Sequence, residues 1–573
     1  MKLISSVLFI TLNTILLFSQ PKQEVRAVWL TTNLQLDWPP RTLDQEIQKK
    51  ALVDILDDLR QKNFNTIYFQ VRSQGSVMFK SLLEPWSQYL TGMLGGEPDY
   101  DPLKFILGEA RKRNFELHAW VNMIRCKIGE QYPQTSNPPH IMNRNPDWVK
   151  RYTEGNSVSY WLDPGLPEVR EYLKNICVEL TANYDIDGIH FDFIRYPGNN
   201  FDDSYSYSIF GNGMNLSDWR RENINTLVSG IYDTLISIKP MLKVGSAPIG
   251  IYENLPGARG WEGRNSVFQD SREWLRRGKQ DYLVPQIYWD LENNPRFDLL
   301  INDWVTNNNG RQIIAGIGAY ERNVFQQLDK LISVSRAYNS NGQSFFRYEN
   351  ISKKKFDGYS TLSNIPPMKW KDNIPPNAPY ELSAKNLSDR LGLIELVWGL
   401  PLPAVDGDTA KYYNIYKSED KFIDRNNSKY LSNFSNGYYF YDNLNRPSQL
   451  EYYYQVGALD KGNNESLDAT GIIKVELLNL KNVLRHVLPV SVSFLQPRNI
   501  NDKIFFSVDL VKSGSLKIDL KSESEKLLKS IFDGYAKIGQ NIFYIDTKDL
   551  KSQKVKLGIK SGEYSEEIVF SLR

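Results

Sequence analysis

The stretch Asp187-Gly188-Ile189-His190-Phe191-Asp192-Phe193-Ile194-Arg195-Tyr196-Pro197 limits the fold more than any other part of the chain. Alternate side chains of a strand point to opposite faces, so Ile189, Phe191 and Phe193 share one face and Gly188, His190 and Asp192 the other. A strand covered on both sides reads as a continuous apolar run. Here the second face carries a histidine and an acid. That fits a strand whose inner face lines a barrel and rises to a mouth where Asp192 meets solvent. A carboxylate at the carboxyl end of a barrel strand is where such folds place their chemistry. The rival arrangement, a half-exposed strand in an antiparallel sheet, requires hairpin signals on the flanks, and the flanks read as helices.

Strand-like and helix-like patterns alternate along the chain from about residue 25 to 350. Strands are predicted at 25–31, 66–71, 116–123, the stretch above, 243–247, 282–288, 312–316 and 344–348. Helices are predicted between them at 44–62, 102–112, 167–184, 218–238, 266–277, 297–305 and 324–338. Such alternation calls for a parallel sheet, and eight units close into a (β/α)8 TIM-type barrel. An open doubly wound sheet competes, but no glycine-rich phosphate turn follows the first strand. The long connections, 72–101, 123–166, 195–217 and 248–265, all follow strands, the side on which this architecture builds its sites.

Residues 1–19 read as a signal peptide: Lys2, an apolar run to Phe18, and small Ser19 before the cut. The expected location is therefore secreted or periplasmic, with no membrane span after cleavage. Residues 20–365 form the barrel, and the proline-rich 366–379 a semi-rigid linker. Short strands with turns then give two small all-β sandwich domains, at 380–480 and 481–573. The 69 basic and 67 acidic residues are nearly balanced and show no basic block, so no nucleic-acid partner is expected. Two cysteines, Cys126 and Cys177, exclude a disulfide framework and leave a single bridge open. Four histidines lack metal-ligand spacing, and neither a metal nor a cofactor is expected.

The alternation rule selects the residues that share the barrel interior with His190 and Asp192. On the second strand they are Tyr68, Gln70 and Arg72; on the third, His118, Trp120 and Asn122; on the sixth, Gln286, Tyr288 and Asp290. Polar groups that converge in this way must be hydrogen-bonded to one another or to a ligand. For His118 and His190, deep in their strands, substrate contact and a structural network filling the barrel stand about equal. Carboxylates at a mouth with aromatic walls suit glycosidic bond cleavage, in which one acid protonates the leaving oxygen and a second group meets the oxocarbenium-like state. Asp192 is the first candidate; Asp290, Glu321 and Glu253 compete for the partner role. Trp29, Tyr196, Trp289 and Tyr320 join the candidates for substrate contact. Arg72 and Arg195 either hold Asp192 ionised or grip an acidic substrate.

Several motifs together resemble the family-ten-like glycosyl hydrolases of bacteria. They are Glu24-Val25-Arg26-Ala27-Val28-Trp29-Leu30-Thr31 with Asp37-Trp38-Pro39, Phe69-Gln70-Val71-Arg72, His118-Ala119-Trp120-Val121-Asn122, Trp161-Leu162-Asp163-Pro164-Gly165, the stretch from Gly188 to Pro197, and Pro285-Gln286-Ile287-Tyr288. The resemblance covers roughly residues 24–350. It implies a TIM-type barrel, export to the envelope or outside, and a polysaccharide substrate; one enterobacterial member is a divisome-localised hydrolase that acts on peptidoglycan glycan strands stripped of peptides. Residues 375–475 resemble a fibronectin type III module, with Trp398 and the run from Tyr452 to Asp460. A looser likeness joins 187–194 to chitinase-type barrels: Asp187, Gly188 and Asp192 match, whereas His190 replaces an acid and Ile194 stands where that family has its catalytic Glu. A catalytically impaired glycan-binding barrel is the alternative, and cleavage assisted by a substrate 2-acetamido group is left open.

Overall fold

A computed structural model describes residues 20–387, 393–444, 451–477, 490–494, 502–510, 513–548, 550, 554–562 and 564–572; the expected signal peptide lies outside the described residues. Eight parallel strands pair in chain order: β1 (Val25–Leu30), β2 (Thr66–Ser73), β3 (Glu116–Asn122), β4 (Gly188–Asp192), β5 (Lys243–Ser246), β6 (Tyr282–Leu283), β7 (Gln312–Gly318) and β8 (Gly342–Phe346). β8 pairs back onto β1, which also pairs with β2, so the barrel is closed.

The helices start where the sequence supplies caps. Asp44 accepts hydrogen bonds from the N–H groups of Glu46 and Ile47 at the head of α1 (Gln45–Gln61). Asp101 does the same for Lys104 at the head of α2 (Pro102–Lys112), with Pro at its first position. Both helices bury a leucine- and isoleucine-rich stripe against the outer barrel face, joining Val28, Ile67, Phe69, Leu117, Ile189 and Phe191 in one core. The helix expected at 324–338 breaks at Gln327 into two, Arg322–Gln326 and Leu328–Ala337. The sixth strand is shorter than expected. Pro285 has no N–H to give the ladder, and the pairing resumes only as isolated bridges at Gln286.

The inner face is packed, with no open channel at mid-height. Val25, Ala27, Trp29, Tyr68, Trp120, Tyr282, Val284 and Ile314 form an interior cluster. Two glycines make this possible. A Cβ on Gly188 would sit 2.5 Å from His118 Nδ1, and one on Gly245 would sit 2.3 Å from the Tyr282 ring. On β2 the register against β3 shifts between Gln70 and Arg72. This bulge inserts one residue and reverses the face of everything after it. Gln70 opposes inward-facing Trp120, while Arg72 opposes Val121 on the outer side.

The lower end of the barrel is closed by chain from beyond it. Ile365 and Met368 join the interior cluster. Trp370 Nε1 donates to Asp281 Oδ1 at 2.9 Å, and Lys371 pairs with the same carboxylate at 3.0 Å. Further on, Asn463 Nδ2 donates to Glu116 Oε1 at 3.0 Å, and Lys411 pairs with Asp187 at 2.9 Å. Both come from a two-sheet β unit. One antiparallel sheet holds Tyr380–Asn386, Leu393–Gly399 and Tyr439–Asn443. The other holds Leu431–Ser435, Tyr412–Ser418, Glu451–Leu459 and Ile473–Glu476. Ile394, Leu396, Trp398, Ile415, Tyr454 and Val456 fill the space between the sheets. Past residue 489 two more antiparallel sheets enclose Ile504, Phe506, Ile518, Leu557 and Ile559. Cys126 and Cys177 are free and buried, and burial pushes both thiols up to about 12. Among the described residues, no helix is long and apolar enough to cross a membrane.

Candidate active site

β4 ends at Asp192, and the next residue, Phe193, takes a left-handed φ of +51°. A bulky residue adopts that region only at a cost of about 1–3 kcal/mol. What it gains here is placement. The Phe193 N–H donates to Asp192 Oδ1 at 2.7 Å, and the ring turns toward the mouth. Gln286 Nε2 donates to the same oxygen at 3.3 Å. Asp192 is 9% exposed, and burial pushes its pKa above the usual aspartate value; the Phe193 N–H, Arg195 and Arg125 pull the other way without reversing it. The indole N–H of Trp120, on the same wall, is buried and faces Asp192, whose carboxyl it helps to hold down.

Beneath Asp192 a chain of hydrogen bonds runs down the barrel axis. Trp29 Nε1 donates to His190 Nε2 at 3.0 Å. That leaves the His190 proton on Nδ1, 3.3 Å from the Tyr282 hydroxyl, which lies 2.7 Å from His118 Nδ1. His118 Nε2 reaches Glu116 at 3.5 Å, and Lys243 pairs with Glu116 at 2.7 Å. Burial first, and His118 second, hold His190 well below the usual imidazole value, so it is neutral. Neither histidine lines the mouth. Both belong to the network that fills the barrel.

The mouth holds a cavity of about 170 Å³ lined by Asp192, Trp29, Gln70, Trp120, Asn122, Arg125, Phe193, Arg195, Gln286, Tyr288 and Phe346 among others. Gln286 and Tyr288 also line an adjoining groove of about 520 Å³, walled by Trp261, Trp289, Asp290, Tyr320 and Glu321. Cavity and groove together make an aromatic cleft. Tyr288 stacks on Phe346 with 5.8 Å between centroids, and Tyr320 stands edge-on to both.

The expected acids separate clearly. Glu321 lines the groove, is exposed, and caps Arg322–Gln326 through its backbone. Asp290 also lines the groove, but its oxygens accept from the N–H groups of Glu292 and Asn293 and from Asn293 Nδ2, all within 2.8 Å. Burial pushes its pKa up, and these bonds overcome that and hold it below the usual value; Asp290 is an ionised turn anchor. Glu253 pairs with Arg264 at 2.7 Å and lies outside both cavities.

Besides His118 and His190, two further candidates for substrate contact need correcting. Arg72, expected inside, is turned out by the bulge and is fully buried in a two-bond pair with Glu84 at 2.6 and 2.7 Å. Its remaining donors hold the carbonyls of Asn122 and Met123, so it braces the end of β3. Tyr196 is sealed under Phe201 and Phe268, and its hydroxyl accepts from Asn223. Gln70 stays at the mouth, but its oxygen is occupied by Thr31 Oγ1 and the N–H groups of Thr32 and Asn33. Residues missed from sequence are Arg125, Phe193, Trp261 and Phe346. Arg125 belongs to a small antiparallel sheet, Arg125–Ile128, Val149–Glu154 and Ser157–Leu162, folded from the long connection after β3. Trp261 lies in the long connection 248–265, on the side where this architecture builds its sites.

A closed parallel barrel with a protonatable carboxyl at its mouth, beside an aromatic cleft, has the form of a glycoside hydrolase. The chain belongs to the glycosyl hydrolase-like 10 family, whose model matches residues 24–331. It is 31% identical over 485 residues to "Glycosyl hydrolase YngK" of Bacillus subtilis, covering 78% of this chain and 93% of that protein. It is 34% identical over 313 residues to "Glycosyl hydrolase DigH" of Escherichia coli K12, covering 50% of this chain and 70% of that protein. The catalytic domain of a β-amylase from Paenibacillus polymyxa, a solved structure, is 11% identical, with a TM-score of 0.40, over 58% of this chain and 94% of that one, a likeness too loose to bear on function.

Proposed function

We propose that the protein is an exported glycoside hydrolase that cleaves an envelope or extracellular polysaccharide, the glycan strands of peptidoglycan included. The observation that carries this reading is the buried Asp192 carboxyl, raised in pKa and opening into an aromatic cleft. A proton donor for a glycosidic oxygen must keep its proton near neutral pH, and burial is how a protein achieves that. In this reading Asp192 protonates the leaving oxygen. Glu321, the exposed acid on the groove wall, faces the developing positive charge or activates water. Tyr288, whose own hydroxyl is held protonated by burial and by Asp192, orients the sugar. The β unit at 380–480 serves as a fibronectin type III-like support.

A second reading rests on the same cleft. Among the described residues Asp192 is the one acid lining its cavity, and Asp290 is committed to its turn, so the chain also suits a glycan-binding protein that does not cleave. Incubation of purified protein with glycan strands separates the two. New reducing ends support the hydrolase; co-sedimentation without them supports the binder. Fractionation of the producing cells tests export: recovery of the mature chain in the cytoplasm overturns it.

A further inference from the structure

We infer that Arg125 and Arg195 form an anion subsite beside Asp192, built for a carboxylate carried by the sugar bound there. This rests on the reading of the mouth as a carbohydrate site, and it adds the charge class of the substrate.

The two guanidinium groups flank one ring. Arg125 Cζ lies 3.5 Å from the centroid of Phe193 and Arg195 Cζ lies 5.1 Å from it. Arg195 is also 4.9 Å from the Trp261 ring and 5.4 Å from that of Trp161. Stacking of this kind fixes the plane of a guanidinium and leaves its edge N–H groups free. Both residues line the cavity with Asp192.

What sets them apart is what they lack. Among the described residues the buried arginines are paired, Arg72 with Glu84 and Arg220 with Asp203 at 2.6 Å and Arg26 with Glu24 at 2.9 Å; of the half-buried ones, Arg60 has no acid either but donates to Asn433 Oδ1 at 3.3 Å. Arg195 spends one donor on the Tyr196 carbonyl at 3.1 Å. Among the described residues, Arg125 has no hydrogen-bonded or ion-paired side-chain partner, and Arg195 has no ion pair. The charges that act on Arg195 through space are Asp192, Arg125, Glu154 and Tyr152, and Arg125 opposes it. Burial lowers both guanidinium groups to about 10, which leaves them cationic at neutral pH. When Asp192 holds the proton it needs as a donor, Glu154 is the acid left acting on Arg195 through space, and among the described residues neither cation of this wall has an ion pair.

Two like charges are kept close in a partly dehydrated wall at a cost. A ligand oxyanion relieves that cost, and a planar carboxylate matches the guanidinium fork. A neutral sugar hydroxyl does not. Sulfate esters offer the same charge with a different shape, and the test below separates the two.

The full chain is assayed for equilibrium binding and, separately, for release of reducing ends. The probes are peptide-free peptidoglycan strands and polyuronate oligosaccharides, each native and after carbodiimide–borohydride reduction of its carboxylates to alcohols, with sulfated glycans as a third arm. Reduction is expected to weaken binding of at least one probe by about tenfold or more, the scale of one lost charge-assisted hydrogen bond. Arg125→Met is expected to lose the same factor on the native probe and nothing on the reduced one. Arg125→Lys should recover part of it, and Arg195→Met should repeat the pattern if Arg125→Met does not fold. Equal binding of native and reduced probes, preference for sulfated glycans, or an Arg125→Met defect that ignores the substrate's charge each overturns the subsite. Carboxylate-selective binding with no new reducing ends leaves the subsite standing and removes the hydrolase instead.

Discussion

At the lower end of the barrel, Glu116 receives Lys243, Asn463 and His118, and Asp281 receives Lys371 and Trp370. At the upper end, Asp192 receives one backbone N–H and one amide, while Arg125 and Arg195 reach no acid at ion-pair distance. Both ends use buried acids and bases. The difference lies in satisfaction. Where the charged groups are matched within the protein, the cluster holds the frame; where charged partners are withheld, the cluster waits for a ligand. Electrostatics follow the same division. Burial pushes Glu116 up, but Lys243, His118 and Lys411 together overcome it and hold it well below the usual glutamate value, whereas burial prevails at Asp192 and raises it.

The sharpest way to break this contrast is Asp192→Asn. Release of reducing ends should fall by about 10³–10⁴-fold, the range for loss of a general acid, while the thermal midpoint at neutral pH does not drop. The sign follows from the raised pKa. Ionised Asp192 disfavours folding above its unfolded pKa, and the amide removes that penalty. A midpoint several degrees lower would make Asp192 a structural residue. The same shift predicts that activity is lost as pH rises through the raised pKa of Asp192, measurable as the alkaline limb of a pH–rate profile. Glu116 has the opposite sign: its stabilisation is present above its unfolded pKa and is lost as pH falls through the depressed folded one.

Lys243→Met tests the lower end. Leaving Glu116 buried and unmatched should cost about 3–5 kcal/mol, read by urea unfolding, with turnover per folded molecule retained. Glu321→Gln should lower turnover by about 10²-fold if that acid faces the charge built up in the reaction. An unchanged rate would hand that role to a substrate acetamido group. Lys411→Ala, whose side chain is 32% exposed, should cost less than about 1 kcal/mol, seen as a small shift of the urea midpoint.

The barrel could be read from sequence because period-two strands alternate with capped helices, and each strand announces itself locally. Asp192 could be read because it closes such a strand. The rest of the mouth depends on events that alternation does not record. One inserted residue sends Arg72 to the wrong side of β2, and nothing in Phe69-Gln70-Val71-Arg72 marks it. Arg125 lies three residues past the end of β3, beyond the reach of any face rule, and is aimed by a small sheet whose partners lie more than twenty residues further along the chain. Pro285 interrupts the ladder of the sixth strand inside a run whose apolar residues continue to Tyr288.

The floor of the barrel has a consequence for how the molecule is made. Glu116 waits for a side chain 347 positions downstream. A nascent chain released at residue 365 would display charged strand ends to water and to its neighbours, and only synthesis of the following β unit covers them. Barrel and sandwich are therefore one unit of biogenesis, and a cut between them should yield an aggregating half before it yields an inactive one.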